Sequence, residues 1–315
     1  MWQNTTNVSI QEAQNVTNGL LGSLAFLLNI VTFVCIIMSR SLLARQKVVF
    51  ISLIATDFTT SLIILMVRAV QFKYESDHFL CHIRLYTSLV VMFVTILSNL
   101  LNTTEPFLSM ALPLHLDVKI TWKHLAVCVL LCWVFAIVAT FSFFWEGFGG
   151  IEKCQFMVIQ HPRGYMFLGV FICVNFLIII AMYAYITRVT RRHIRQIAAT
   201  IVDDSSSENK RRTFYTTAGI RIAVTVGIIV CVFGISYVPL GVYVMYSVFN
   251  MPVDQAAKQN NQTVYAIIVT LFLMNSMINP IIYILRFKKC RDEMIARFWC
   301  CSRINLNINV SSEMS

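Results

Sequence analysis

Charge is what this sequence is short of. Only 13% of its 315 residues are Asp, Glu, Lys or Arg, while 57% are hydrophobic. A soluble domain carries about 25% charged residues, so a water-facing surface of ordinary make-up is excluded. No internal repeat and no separate polar domain are visible. The longest polar interruption, about 192–215, holds Asp203-Asp204-Ser205-Ser206-Ser207-Glu208 and is read as a mobile loop. The ten cysteines are too scattered for a small disulfide scaffold, and most lie inside apolar runs, where a thiol behaves as a small hydrophobe. Residues 1–17 are polar and lack a basic n-region, so no cleavable signal peptide is expected and the first apolar run is read as an uncleaved signal-anchor. The histidines, among them His82, His115, His124 and His193, show no metal-ligand spacing. Neither a catalytic cluster nor a polar transport path is visible, which disfavours an enzyme or a transporter. A net charge of +10 would suggest nucleic acid in a soluble protein. Here the basic residues sit in short segments between apolar runs, so membrane lipid is the expected partner and nucleic acid is not.

What is present is a set of seven apolar runs, at about 18–39, 48–71, 79–110, 123–145, 164–190, 217–249 and 263–286. A bilayer core needs about 20 apolar residues in a helix. Only helices or closed barrels satisfy their backbone polar groups in lipid, and barrel strands alternate over about ten residues each. The predicted fold is therefore all-α, a seven-transmembrane-helix bundle. Nineteen of the 25 Lys and Arg residues fall on one side of these runs, including Arg40, Arg45, Lys47, Arg188, Arg191, Lys210 and Lys288. Basic loops stay in the cytoplasm, which places the N-terminus outside, on the face of the plasma membrane. Sequons at Asn4, Asn7 and Asn15, and at Asn261 in the last outer loop, fall on that outer side as N-glycosylation acceptors. Those at Asn102 and Asn309 fall inside and are discounted.

Specific residues narrow the class. Asn279-Pro280-Ile281-Ile282-Tyr283 ends the seventh run; Pro280 removes a backbone donor and kinks a helix that neighbours must re-satisfy. Asn29, Asp57, Trp133 and Pro239 stand in the first, second, fourth and sixth runs, Pro113-Leu114-His115 follows the third, and Cys81 precedes Glu105 at a matching spacing. Together these resemble the rhodopsin-like (class A) G-protein-coupled receptors over about residues 18–300. The resemblance implies a receptor, not an enzyme. Its domains would be an extracellular N-terminus (1–17), a seven-helix domain (18–286), an amphipathic eighth helix (287–299) and a cytoplasmic tail (300–315). Phe287, Ile295 and Phe298 would face lipid there, with Lys288, Lys289 and Arg291 at the head groups. Cys300 and Cys301 would be palmitoylation sites, the alternative being unmodified thiols. A Cys81–Cys154 disulfide is implied on the oxidising outer side.

The resemblance also implies a ligand pocket, an ion site and a switch. An opsin is excluded, because no lysine lies between Gln259 and Arg286 and the retinal-lysine position is Leu273. Biogenic amines are disfavoured, because the counter-ion position is Ser88. Arg68 and Arg84, with Ser88, Tyr237 and Leu273, are the expected ligand-binding residues, and arginine suits an anionic group. The alternative is that both arginines snorkel or pair with Glu75 or Asp77. The ligand class stays open among small molecule, lipid and peptide. Asp57, Thr95, Asn275, Ser276 and Asn279 are oxygen-bearing and suit a hard cation such as sodium as an allosteric ion; the alternative is a protonated or hydrated Asp57 that holds helices together. No other cofactor is expected. Ile96, Phe233 and Asn175 take the places of the switch trio, with Asn175 where the family has proline, and Tyr237 stands for its tryptophan. The largest departure is Glu105-Pro106-Phe107, where the family's arginine for the G protein is Pro106. Proline makes no charge-assisted hydrogen bond and is expected to bend the helix end. The usual acid on the sixth helix is Gly219, so the resting ion pair is expected to be missing on both sides. Two readings follow: a G-protein-coupling receptor, or an atypical one acting through arrestin, scavenging or a partner.

Overall fold

The computed structural model describes residues 2–40, 42–69, 78–111, 121–144, 162–200, 207–249 and 255–286. Seven α-helices fill them: α1 (Trp2–Met38), α2 (Ala44–Ala69), α3 (His78–Ala111), α4 (Trp122–Phe144), α5 (Pro162–Thr200), α6 (Ser207–Phe249) and α7 (Gln255–Arg286). No strand occurs among the described residues. The all-α, seven-helix architecture is as the apolar runs predict.

Six of these helices contain apolar stretches long enough to cross a bilayer, among them Val16–Met38, His82–Leu108 and Pro162–Gln196. In α7 the apolar stretch is shorter, Thr270–Ile282. Yet α7 has 32 residues, and at 1.5 Å each it reaches about 48 Å, beyond a hydrocarbon core of about 30 Å. Asn275, Ser276 and Asn279 interrupt its apolar character, and all three are buried against neighbouring helices.

Several helices outrun their apolar runs. α1 begins at Trp2, within the segment expected to be a polar extension, and Asn4, Asn7 and Asn15 lie along it. Asn261 lies in α7 rather than in a loop. α5 continues to Thr200 and α6 starts at Ser207, so most of the expected loop at 192–215 is helical. Apolarity marks where a helix crosses lipid; backbone hydrogen bonding carries it further. The expected eighth helix and the cytoplasmic tail, Cys300 and Cys301 among them, lie outside the described residues, as do Cys154 and the side chains of Cys81, Arg68 and Tyr283.

Helix α3 is central, packing on α2, α4 and α5, while α1 meets α2 and α7, and α6 meets α5 and α7. The main core lies between α3, α5 and α6 and includes Leu89, Phe93, Ile96, Leu168, Ile172, Val226, Phe233 and Tyr237. The opposite faces are apolar and exposed: Val127, Leu130, Leu131, Val134 and Val138 form one such face of α4. A surface of this kind suits lipid, not water.

Glycines set the α5–α6 spacing. Gly227, Gly234 and Gly241 recur every seven residues on α6. A Cβ on Gly227 would stand 2.7 Å from Tyr183 Oη, and one on Gly234 3.0 Å from Phe176 Cζ. A Cβ on Gly169 of α5 would stand 2.9 Å from the Gly241 carbonyl oxygen. Small residues at such crossings let backbones approach closely, which substitutes for the hydrophobic drive that lipid removes.

Candidate functional site

Polar side chains in these helices first satisfy themselves locally. Thr60 Oγ1 donates to the Thr56 carbonyl (2.9 Å), Ser61 Oγ to the Asp57 carbonyl (2.8 Å) and Thr103 Oγ1 to the Asn99 carbonyl (3.0 Å). This i−4 back-bonding lets a hydroxyl sit in an apolar environment at little cost. Groups that cannot do so converge on the middle of the bundle.

Asp57 is 1% exposed. Its Oδ2 accepts a hydrogen bond from Asn279 Nδ2 at 3.0 Å, tying α2 to α7. The Ser276 hydroxyl faces the same carboxylate. Asn29 completes the α1–α7 joint: its Nδ2 donates to the Ala25 carbonyl (2.8 Å) and to the Ser276 carbonyl (3.1 Å). Thr95 is buried on α3, and its hydroxyl hydrogen is committed to the Val91 carbonyl (2.8 Å). That leaves its oxygen able only to accept, and Tyr237 of α6 stands beside it.

Three polar atoms at this level have no hydrogen-bond partner among the described residues: Asp57 Oδ1, Asn29 Oδ1 and Asn275 Nδ2. A buried carboxylate oxygen without a partner is costly. Of the five residues expected around a cation, Asn279 bonds the carboxylate directly and Ser276 stands beside it. Thr95 stands on the facing helix, and Asn275 is buried beside Ser276 without a bond to Asp57. The donor set is rich in oxygen and therefore fits a hard cation, which Asp57, Ser276 and Thr95 would hold.

Above this cluster stand aromatic rings. Tyr237 is 1% exposed, stacks on Phe233 (centroids 4.7 Å, 15°) and meets Phe272 edge-on (5.3 Å, 84°). Phe233 stacks in turn on Phe176 of α5 (6.0 Å, 23°), and Ile96 is buried in the same core. Asn175 is buried, and its Nδ2 donates to the Phe171 carbonyl (2.8 Å). Unlike proline it keeps its backbone N–H, and α5 runs through uninterrupted. Of the expected ligand residues, Tyr237 and Leu273 are buried in the core between α6 and α7. Arg84 and Ser88 share one turn of α3, where Ser88 Oγ donates to the Arg84 carbonyl (2.8 Å).

The family's resting pair is absent, its arginine and sixth-helix acid positions being Pro106 and Gly219, yet the acid on α3 is not alone. Glu105 has a cationic partner, on α2: Arg45 Nε lies 3.2 Å from Glu105 Oε1, each side chain being 13% exposed. Gln46 Nε2 donates to the same oxygen at 3.4 Å. Pro106 sits buried inside α3, which continues past it to Ala111. A signal for the pair was available. In antiparallel helices at 1.5 Å per residue, Arg45 lies about 18 Å from the level of Asp57 and Glu105 about 15 Å from that of Thr95, in the same direction. A second link escaped the sequence reading: Trp133 Nε1 donates to Ser52 Oγ (3.4 Å), which lies 3.4 Å from Ser98 Oγ, joining α4, α2 and α3.

Comparison with known proteins follows the same lines. The family model described as 7 transmembrane receptor (rhodopsin family) matches residues 28–283. Cannabinoid receptor 1 of Xenopus laevis is 27% identical over 299 residues, 90% of this chain and 62% of that protein. Trace amine-associated receptor 9 of Homo sapiens is 23% identical over 81% of this chain and 75% of that protein. The human substance-P receptor is 24% identical over 75% of this chain and 58% of that protein. The chain thus spans about three fifths of the length of two of these relatives. With most of its length inside the family match, its seven helices in place and Asp57 joined to Asn279 between α2 and α7, the chain belongs to the rhodopsin family of seven-transmembrane receptors.

Proposed function

We propose that this chain sits in the plasma membrane with its N-terminus outside and converts binding of an extracellular ligand into activation of a heterotrimeric G protein. The observation that carries the reading is a set of aromatic contacts beside a buried polar joint. Phe272 of α7 meets Tyr237, which stacks on Phe233 of α6, and Asn279 of the same α7 holds Asp57 of α2. A ligand touching the aromatic end would shift the population of bundle arrangements through these contacts. The relatives are named for cannabinoids, trace amines and substance P, so likeness does not choose among ligand classes. Ser88 speaks against an amine, and Arg84, with Arg68, speaks for an anionic group on a small molecule, lipid or peptide. Replacing Arg84 by Ala lowers potency for such a ligand; unchanged potency removes the anionic contact. Sodium at Asp57 is part of the same reading: the cation compensates the buried Oδ1 and steadies the resting arrangement.

One observation favours a second reading. Pro106 stands where the family's G-protein arginine would be, which suits a receptor acting through arrestin, by scavenging, or on a partner protein. Ligand-free G-protein activation in cells separates the two. We expect the natural chain to load GTP on at least one Gα class above untransfected cells. Silence of the natural chain together with loading by Pro106→Arg makes it an atypical receptor whose fold is still competent.

A further inference from the structure

Helix α5 leaves the bilayer carrying charge of one sign. Its residues 164–187 hold no Asp, Glu, Lys or Arg. At 1.5 Å each they reach about 36 Å, enough to cross a hydrocarbon core of about 30 Å. The first charge beyond them is Arg188, and Arg191, Arg192 and Arg195 follow within two turns. The four arginines therefore stand where lipid head groups begin. Their spacing of i, i+3, i+4 and i+7 gathers them on one side of the helix. All four are exposed, and α5 has no acid along its length to neutralise them. None of the four belongs to the salt bridge found among the described residues, which joins Arg45 to Glu105.

The side they share is the side that faces lipid. Arg188, Arg192 and Arg195 each stand five turns of about 3.6 residues beyond Val170, Val174 and Leu177, so each lies in line with one of them. Those three apolar residues are exposed, Leu177 at 64%. The residues of α5 that meet α6, namely Gly169, Ile172, Phe176 and Tyr183, lie on another side. One stripe of α5 is thus apolar across the bilayer and cationic at its end.

We infer that this end of α5 is a binding site for the head group of a phospholipid that carries several phosphates, a phosphoinositide. Arg188, Arg192 and Arg195 hold the phosphates, Arg191 flanks them, and the apolar stripe receives the acyl chains. Arginine suits the task because its planar fork binds phosphate oxygens in pairs. The stripe from Arg188 to Arg195 is about 10 Å long, room for more than one phosphate. A head group with a single charge would leave most of the stripe unmatched. The register with Val170, Val174 and Leu177 favours a lipid over a soluble partner, which would have to reach the arginines along the membrane surface. The site goes beyond the signalling reading and does not depend on it.

The test is native mass spectrometry of the full chain in a neutral detergent. It is titrated with phosphatidylinositol bisphosphate, phosphatidylserine or soluble inositol trisphosphate. The arms are the natural chain, the α5 triple Arg188→Gln, Arg192→Gln, Arg195→Gln, and a charge-matched triple at the start of α6, Lys210→Gln, Arg211→Gln, Arg212→Gln. The natural chain is expected to bind the bisphosphate lipid at least about tenfold more tightly than phosphatidylserine, because several phosphates meet several arginines. The α5 triple is expected to lose about a hundredfold, since each arginine near an anionic surface contributes about fivefold. The α6 triple is expected to lose far less. Equal losses in the two triples overturn the inference, because net charge alone would then be acting. Equal binding of phosphatidylserine overturns the assignment of the head group, and equal binding of inositol trisphosphate overturns the part given to the apolar stripe. An α5 triple that keeps the lipid at the natural level removes the site; if that variant also loses G-protein loading, the stripe belongs to a protein partner. Should the α5 triple not fold, Arg192→Gln is compared with Arg211→Gln: a loss of about fivefold confined to Arg192→Gln supports the inference, and equal losses or none overturn it.

Discussion

Asp57 is the residue on which most of the buried polar chemistry turns. Only one of its oxygens has a hydrogen-bond partner among the described residues, Asn279 Nδ2 at 3.0 Å, and the other is sealed from solvent. Something must offset that desolvation. If sodium does so, the folded receptor is stabilised by mass action, by about 1.4 kcal/mol at ten times the dissociation constant. We therefore expect the purified receptor to melt a few degrees higher in sodium chloride than in choline chloride. Asp57→Asn is expected to melt equally in both salts, because the amide brings no charge to the cation. A natural receptor indifferent to sodium would instead assign Asp57 to holding α2 against α7 through Asn279. The sequence made these residues readable because an aspartate in an apolar run is conspicuous. It hid Arg45, because a basic residue at the end of such a run looks like an ordinary member of a basic loop. Its depth relative to Glu105 becomes apparent only when the two helices are counted from a shared level.

Among elements, the α5–α6 pair is the one whose geometry depends on small residues. The two glycines at its crossing face different obstacles. A Cβ on Gly241 meets the side chain of Ile172, with Cγ2 at 3.1 Å and Cβ at 3.2 Å, a tight contact relieved by a shift of a few tenths of an ångström. A Cβ on Gly169 meets Met245, which is flexible, but also the Gly241 carbonyl oxygen at 2.9 Å, which belongs to a helix backbone. Gly169→Ala is therefore expected to push the helices apart and to lower stability by about 1–3 kcal/mol, the usual cost of overpacking. Gly241→Ala should cost less. Thermal unfolding of the two variants in one detergent measures the difference; equal melting temperatures would mean that α5 and α6 slide freely at this crossing. The seven-residue glycine spacing on α6 was present in the sequence. Its meaning was not, since a glycine in an apolar run reads equally as a kink, a weak point or a contact. Helix extents were illegible for a related reason. Composition locates the lipid-crossing part of α1, α5 and α6, whereas their polar turns continue on hydrogen bonds that leave no apolar trace.

For the whole molecule the open variable is which way the bundle faces. Nineteen of the 25 basic residues lie on the side where α2 begins and α3 ends, the side of Arg45 and Glu105. Lys and Arg within short loops resist translocation, whereas acidic residues contribute little. An asymmetry of this size is the argument for the proposed orientation, with the Arg45–Glu105 pair in the cytoplasm and the start of α1 outside. The orientation is also what the proposed function requires, since a ligand arrives from outside and a heterotrimeric G protein acts from the cytoplasm. A short epitope placed before Trp2 should be labelled by antibody on intact cells, and one placed after Ser315 only once the cells are permeabilised. The sequons give a second reading of the same variable, because glycosylation happens only on the outer side. Digestion with an N-glycosidase should speed the natural chain on a gel, and replacing Asn4, Asn7 and Asn15 by Gln should remove most of that shift. Labelling of the far epitope on intact cells would invert the bundle and put the α2–α3 end with its Arg45–Glu105 pair outside. It would also leave the charge distribution without its usual cause, so this measurement tests the membrane argument and the signalling argument together.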